Sequence, residues 1–573
     1  MLSRIAQDIA NELHIVRASQ DASEESSPSV EARTQPQNGV DTSSVFLLST
    51  DVEGFPEFSL GTVSIPSQVI VELFQHFGRY YHVHAPFVQP IRSVSRFAGN
   101  CPLLFWTIIL VACQNHAQHS NLYEQLFFPH KDLLAPLSNT AIRSMEEVHA
   151  ILLLCLWPIP KRLPSFDPSW SYIGIAVNAC MRLTFHNASP EDINTRGWAR
   201  WNSLCANVDV QTQRMTWVMG CFSIVTVRAA TWLGLPPPLS STAQLKKVRK
   251  ATECLDCLLS PQNRASLAIN EIVCHYSVSL EDVEDPAAHF TLTQTFDSNL
   301  DTIKDTHSAY WTPELDIQLH YTKLNLYALN FLLPLQEMPL VDDQNVINRQ
   351  ILIFKGLDAA SSLITQMRSI SLTQVAEEQR SLGGLTYYPK PFFTSLFFAA
   401  VFLFRMVVSN PRSSQAHKLL GIQGLVKTHD IFGRMASHRD GARAANLIQR
   451  LVDKARSAES SVDPSSTLRL SITNCHGASL LWDTLFRIVP KTNGDPHDDG
   501  NNQAQGFSTQ PAATTGLRRL NLPPAPEMRS HLLDTQTAFF NTPVVQDQGG
   551  SPWAFWDAYM SDFGLDFGQE SFW

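Results

Sequence analysis

Apolar residues recur at intervals of three and four along most of the chain between residues 67 and 488, a spacing typical of helices laid on a core. Residues 103–113 are apolar on every side, which predicts a central helix. Residues 148–157 and 170–185 are two further apolar segments, joined by a proline-rich polar loop. The second segment carries a stripe that we expect to face the core, made of Trp170, Ile173, Val177 and Met181.

Further helices follow from the same pattern, and no run of alternating strands interrupts them. They are predicted at residues 67–81, 121–129, 198–235, 245–259, 315–333, 344–367, 392–408, 415–438, 442–458 and 478–488. Gly234 is a predicted C-cap, because three prolines that forbid continuation of the helix follow it closely. The spacing has no fixed repeat, which argues against a solenoid. The predicted fold class is therefore all-α, an irregular multi-helix domain.

Residues 391–409 are apolar over nearly the length of a membrane span. Arg405 interrupts the run, and the uninterrupted part is closer in length to a core helix. We therefore predict a buried helix and no contact with a membrane.

The flanks of this domain differ from it in composition. Residues 1–17 predict a short amphipathic helix, either a frayed surface helix or the remnant of a coiled coil. Residues 18–66 are rich in Ser, Glu, Gln and Pro and predict a disordered linker before the domain at 67–490. A second disordered linker is predicted at residues 491–550.

Residues 551–573 form a tail in which aromatic and acidic residues alternate, with no Lys or Arg. Carboxylates keep such aromatics solvated until a partner's groove accepts them, which is the physical logic of an acidic activation segment. A helix that docks back on the domain is the alternative. The residues expected to act are Trp553, Phe555, Trp556, Tyr559, Phe563 and Phe567, with Asp557, Asp562 and Asp566.

Charge and cysteine usage narrow the function classes. The chain has 573 residues, 43 basic against 53 acidic, and a formal charge of -10, which argues against a broad nucleic-acid clamp. A short basic cluster at residues 246–250 is read as a solvated helix face, although it would also suit an import signal. The ten cysteines lie apart and the first residues lack an apolar signal core, which predicts a reduced intracellular compartment.

Motifs for catalysis or metal binding are missing from the sequence. It contains no nucleophile elbow, phosphate-binding loop, zinc-protease motif or dinucleotide fingerprint, so no catalytic residue is predicted and the chain is not expected to be an enzyme. Cys254 and Cys257 have no second cysteine pair to complete a four-ligand shell, and we expect them to pack inside a helix. No metal ligand and no cofactor is predicted in the chain as written.

Five segments follow one another in a fixed order: YYHVHAPFV (80–88), CPLLFWTIILVAC (101–113), AILLLCLWPIP (150–160), DPSWSYIGIAVNACMRLTFH (167–186) and RMTWVMGCFSIVTVRAATWLGLPPP (214–238). Together they resemble the middle homology domain of fungal zinc-cluster transcription factors. The resemblance is greatest to the branch that contains the leucine-biosynthesis regulator, the weak-acid-resistance regulator and the activator of secreted proteases. Its signature core residues are Trp106, Trp157, Trp170, Arg214 and Trp217.

The resemblance implies a nuclear regulator of RNA polymerase II transcription, with an all-α regulatory domain and DNA binding by a six-cysteine zinc cluster. This chain has no cysteine before Cys101, so none of its residues inherits a zinc-ligand or base-reading role. Zinc is expected only if such a cluster lies upstream. Either the sequence starts downstream of that cluster, or the protein is a co-regulator or scaffold that pairs with another regulator. Expected partners are DNA through that cluster or partner, coactivators through the tail, a small-metabolite effector and a second copy of the chain.

Overall fold

The computed structural model describes residues 46–49, 54–159, 167–187, 209–333, 343–372, 384–409, 414–435, 439–460 and 470–488. Within these ranges the fold is helical apart from one β-hairpin, which confirms the all-α prediction. The first helices are α1 (Ser67–Tyr80), α2 (Val94–Asn100), α3 (Pro102–Gln114), α4 (Asn121–Leu134), α5 (Met145–Leu156), α6 (Ser169–Arg182) and α7 (Val210–Leu233). They are followed by α8 (Thr242–Glu253), α9 (Pro261–Ser279), α10 (Pro286–Thr306), α11 (Pro313–Leu329), α12 (Asp343–Leu372), α13 (Lys390–Ser409), α14 (Gln415–Arg434), α15 (Arg439–Ser460) and α16 (Ser479–Ile488).

The end of the predicted linker belongs to the folded core, which corrects the expectation for residues 46–49 and 54–66. Strands β1 (Glu57–Leu60) and β2 (Val63–Pro66) pair antiparallel, with Phe58 opposite Ile65, and both of these side chains are buried. Phe46 is fully buried, with its ring centroid 5.2 Å from that of Phe77. Average composition misses such anchors because a few aromatics suffice to hold a short segment on a helical core.

Helix α7 connects the two halves of the core. Its central part packs on α5, α6, α8 and α9, while its last turns contact α13. Every residue from Thr216 to Val227 is buried, and this stretch winds as a π-helix. The apolar composition all round the helix predicts the burial, whereas it contains no signal for the wider winding.

Helix α13 lies inside the protein, as predicted for residues 391–409. Both α13 and α7 are long and apolar enough to cross a membrane, yet 78% and 72% of their most apolar windows are buried inside the fold. The interrupting Arg405 forms an ion pair with Asp483 of α16 at 3.1 Å, and both side chains are buried.

Two helices in the centre of the chain were not predicted. Helix α9 starts at Pro261 with Ser260 as its N-cap, and α10 starts at Pro286 with the Asp285 carboxylate accepting from the Ala288 backbone N–H. Their start signals are present, but Ser, Thr and Asn within them dilute the apolar pattern. Gly234 has φ of 73°, which confirms the predicted left-handed C-cap of α7.

Helix α6 corrects part of the predicted apolar stripe. Ile173 and Val177 are buried, but Met181 is 38% exposed and Trp170 is only partly buried. The core-facing surface of α6 is narrower than the stripe, and Trp170 faces a cavity instead.

Candidate functional site

A cavity of about 350 Å³ lies between helices α5, α6, α7, α13, α14 and α15. It is bounded by the end of α5 and the residues that follow it, the start of α6, the second half of α7, the start of α13, and the junction of α14 with α15. This volume is in the range of small-molecule sites, which lie typically in concave apolar clefts with a few polar groups. The cavity is therefore the candidate functional site among the described residues.

Three tryptophans form much of the apolar wall. Trp157, at the C-cap of α5, donates its indole N–H to the Tyr387 carbonyl at 3.0 Å. Trp170 comes from the first turn of α6, and Trp232 from the last turn of α7. The Trp232 ring lies 6.4 Å from that of Phe397 and 6.3 Å from that of Trp482. The wall is thus held by contacts to several helices and suits an apolar or aromatic group.

Arg228 brings a positive charge to this wall. Its guanidinium donates to the Gln318 side-chain oxygen at 2.8 Å and lies 5.6 Å from the centre of the Phe392 ring. Its Nε–H has no hydrogen-bond partner, and among the described residues no carboxylate forms an ion pair with it. Burial lowers the pKa of Arg228 to about 10, so the side chain stays charged at neutral pH.

A second cation in the cavity wall is already balanced. Lys390, the first residue of α13, forms an ion pair with Asp167, the residue two positions before α6. Asp167 also accepts a hydrogen bond from the backbone N–H of Ser169 at 2.9 Å. Burial alone would raise the pKa of the Asp167 carboxyl, but Lys390 and Ser169 more than offset it and hold that pKa below its usual value.

Behind Arg228 a polar network ties α7 to α9 and α11. Gln318 accepts from the Ser266 hydroxyl at 2.8 Å and donates to the Asn270 side-chain oxygen at 2.9 Å. Asn270 in turn donates to the Ser223 hydroxyl at 2.6 Å. Each of these side chains is hydrogen-bonded to another member of the network, so the network holds Gln318, and through it Arg228, in position.

The predicted signature residues separate into two groups. Trp157 and Trp170 line the cavity, whereas Trp106, Arg214 and Trp217 are buried elsewhere and do not line it. The predicted tail residues from Trp553 to Phe567 and the predicted helix at residues 1–17 lie outside the described residues.

The predicted cysteine pair, and two histidines between α3 and α4, lie apart from the cavity. Cys254 caps the end of α8 and Cys257 follows it, and both are exposed, which corrects the expectation that they pack inside a helix. His116 and His119 stack with ring centroids 4.7 Å apart, and His119 lies 3.2 Å from the Glu72 carboxylate. Within the described ranges no three His, Cys, Asp or Glu side chains are placed to hold a metal ion.

Sequence reasoning missed Arg228, Lys390 and Trp232 as cavity residues. Arg228 had a readable signal, because it is a single cation in an otherwise apolar stretch, and such residues are seldom buried without a role or a partner. Lys390 had none, since a lysine at the start of a helix is ordinary.

Comparison with known proteins finds relatives among fungal proteins named as transcription factors or regulators. The chain is 27% identical over 197 residues to "Regulatory protein LEU3" of Saccharomyces cerevisiae, a match that covers 32% of this chain and 21% of that protein. The chain is homologous to fungal transcription factors. It is also 32% identical over 148 residues to "Putative transcription factor SEF1" of Eremothecium gossypii, over 25% of this chain and 14% of that one.

A third relative is "Transcriptional regulatory protein SEF1" of Candida albicans, 27% identical over 217 residues, 37% of this chain and 23% of that protein. The matched part thus spans at most about a quarter of the length of these relatives. No family model and no solved structure matches the chain. These relatives confirm the resemblance to fungal transcription factors of the zinc-cluster type.

Proposed function

We propose that this protein is a nuclear regulator of RNA polymerase II transcription and that its helical core is the regulatory domain. The observation that carries the proposal is the homology to three proteins named as transcription factors or regulators, from three fungi. The all-α core supports it, because the resemblance implies that class of domain. We assign no catalysis to the chain.

DNA contact is assigned to a zinc-cluster module or to a partner regulator that carries one. The described residues offer no three-ligand metal site, and the chain as a whole has a formal charge of -10. A co-regulator that never touches DNA is the second candidate, favoured by the same acidic balance. Chromatin immunoprecipitation from cells with and without candidate partner regulators separates the two.

The effector output is assigned to residues 551–573. The mixture of aromatic and acidic residues supports this assignment. The carboxylates would keep the segment soluble, and the Trp and Phe side chains would bind in a groove of a coactivator. The cavity is the place where a metabolite would bias the core between two arrangements. A ligand shifts such an equilibrium only by binding one arrangement better than the other.

A reporter fusion tests the tail. Residues 551–573 fused to a foreign DNA-binding domain are expected to activate a reporter, and changing Trp553, Phe555 and Trp556 together to Ala is expected to abolish the signal. The reason is that each lost ring removes a buried anchor from the coactivator contact.

The matched control changes Ser561, Gln569 and Ser571 to Ala, which alters the same number of positions and leaves every aromatic and acidic residue in place. It is expected to keep the signal. A silent wild-type tail, at equal fusion abundance, would remove the basis for an activation segment.

A further inference from the structure

We propose that Cys254 and Cys257 form a reversible oxidation site, at which a peroxide converts the two thiols into an intramolecular disulfide. The pair lies at the exposed junction of α8 with α9, apart from the cavity. The reaction is a property of the folded chain, so it goes beyond the proposed function and does not depend on it.

The first step is the geometry of the turn that carries the pair. Three backbone hydrogen bonds of 2.7–3.2 Å, each joining residues three positions apart, run through residues 252–258. In a chain wound this tightly, side chains three positions apart lie one above the other. The thiols of Cys254 and Cys257 therefore share one side of the turn, at a spacing from which a disulfide closes without a large backbone movement.

The second step is the anchoring of this turn. Leu255 and Leu259 are buried, with 0% and 3% of their surfaces exposed. Arg264 of α9 donates to the Asp256 backbone carbonyl at 2.6 Å and forms an ion pair with the Asp256 carboxylate. The turn is thus held to the core and to α9 while its two cysteines are exposed to solvent. Because the turn is already ordered, closing the disulfide costs little further conformational entropy.

The third step is the contrast with the other cysteines. The seven others in the described ranges are buried or partly buried: Cys101, Cys113, Cys155, Cys180, Cys221, Cys274 and Cys475. Burial raises the pKa of Cys101 and of Cys274 to about 12, which leaves almost no thiolate at neutral pH. Peroxides react with accessible thiolates, and a second thiol beside the first converts the product into a disulfide. The exposed pair is therefore the preferred target.

Oxidation fits the pair better than metal binding does. Within the described residues, no third His, Cys, Asp or Glu side chain is placed to complete a metal site with these thiols. In a reducing compartment an exposed pair persists as thiols until an oxidant is present, and disulfides that form there are transient.

The chemistry needs only the two thiols and hydrogen peroxide. One thiolate attacks a peroxide oxygen, the O–O bond breaks, and a sulfenic acid forms while the leaving hydroxide takes the thiol proton and departs as water. The second thiol attacks the sulfenic sulfur, the S–O bond breaks and the S–S bond forms, with release of a second water. The two thiols lose two electrons in total, and the peroxide gains them. Thiol–disulfide exchange with a reduced thiol restores the pair.

The experiment treats the purified, reduced full chain with hydrogen peroxide at neutral pH, and then unfolds it in urea with N-ethylmaleimide before trypsin digestion. Cleavage after Lys250 and Arg264 gives the peptide ATECLDCLLSPQNR (251–264), which contains both cysteines of the pair and no other. An unreacted pair adds two maleimide groups, whereas the disulfide adds none and is two hydrogens lighter. We expect this disulfide to form at least about tenfold faster than Cys101 is oxidised, because so few Cys101 thiols are ionised.

Substitution then assigns the reaction to the pair. Cys254→Ser and Cys257→Ser are each expected to abolish the disulfide and to leave a sulfenic acid that dimedone traps. Cys101→Ser is the matched control, because Cys101 is the N-cap of α3, a position that Ser suits, and it is expected to keep the disulfide. Circular dichroism checks the fold of each variant.

A measurement that needs no variant tests the turn itself. The folded chain and the chain unfolded in urea are equilibrated with the same mixture of reduced and oxidised glutathione. The equilibrium constant for the disulfide of peptide 251–264 is expected to be greater in the folded chain, because the ordered turn keeps the two thiols adjacent.

The proposal is overturned by any of three results. The first is a pair that is oxidised no faster than Cys101. The second is a disulfide that joins Cys254 or Cys257 to another cysteine or to a second chain. The third is an equilibrium constant in the folded chain that is no greater than the constant in urea.

Discussion

At the scale of single residues, the buried Arg405 is stabilised in the helical core by an ion pair with Asp483. Burial lowers the pKa of Arg405 to about 10, against the opposing effect of Asp483. Asp483 also accepts from the Ser471 backbone N–H at 2.6 Å and from Arg487 at 2.8 Å. The pair joins α13 to α16, and a charge left alone there would be expensive. The sequence showed Arg405 as an interruption of an apolar run, but its partner 78 positions away was not readable.

Asp483→Asn is expected to lower the free energy of unfolding by about 3–5 kcal/mol, because it leaves the Arg405 guanidinium buried without a counter-charge. Urea denaturation followed by circular dichroism measures the change.

Asp430→Asn is the matched control for that substitution. Asp430 pairs with Arg434 at 3.3 Å on the exposed side of α14, and its loss is expected to cost less than about 1 kcal/mol. Equal effects of the two changes would show that the buried pair does not hold α13 to α16.

At the scale of elements, the helices with strong apolar faces were predicted and those with mixed faces were not. The predicted helices at 315–333, 344–367 and 392–408 agree with α11, α12 and α13 to within a few residues at most ends. The helices α9 and α10 were missed because their polar residues hide the period. The π-helical winding of Thr216–Val227 was out of reach, because residues apolar on every side fit either winding.

The end of α7 packs closely against the segment at Cys475, and a substitution at Gly234 tests this contact. Gly234 has a left-handed backbone, and a Cβ there would collide with the backbone carbonyl of Cys475. Gly234→Ala is therefore expected to destabilise the protein by more than about 1–2 kcal/mol, which a lower melting temperature reports.

Gly174→Ala is the comparison for Gly234→Ala. Gly174 lies in the middle of α6 with open space where its Cβ would go, so Ala is expected to stabilise the protein by about 0.5–1 kcal/mol. A stabilising Gly234→Ala would mean that the junction of α7 with the segment at Cys475 is looser than described.

At the scale of the whole molecule, the candidate site is made by the packing of distant segments. Trp157, Arg228, Lys390 and Arg443 come from four helices or their ends, spread over nearly 300 positions of sequence. The fold class follows from local pattern, since helices form from neighbouring residues. A cavity depends on how α5, α6, α7, α13 and α15 cross, and a single sequence holds no such signal. Trp157 and Trp170 were singled out by resemblance alone.

The central claim is that the protein controls transcription, and tethering the full chain to a promoter tests it most directly. The full chain fused to a foreign DNA-binding domain, above a reporter with that domain's sites, is expected to raise reporter transcript well above the level given by the domain alone. A reporter level equal to that of the domain alone, with the fusion present in the nucleus and bound at the promoter, would contradict the account.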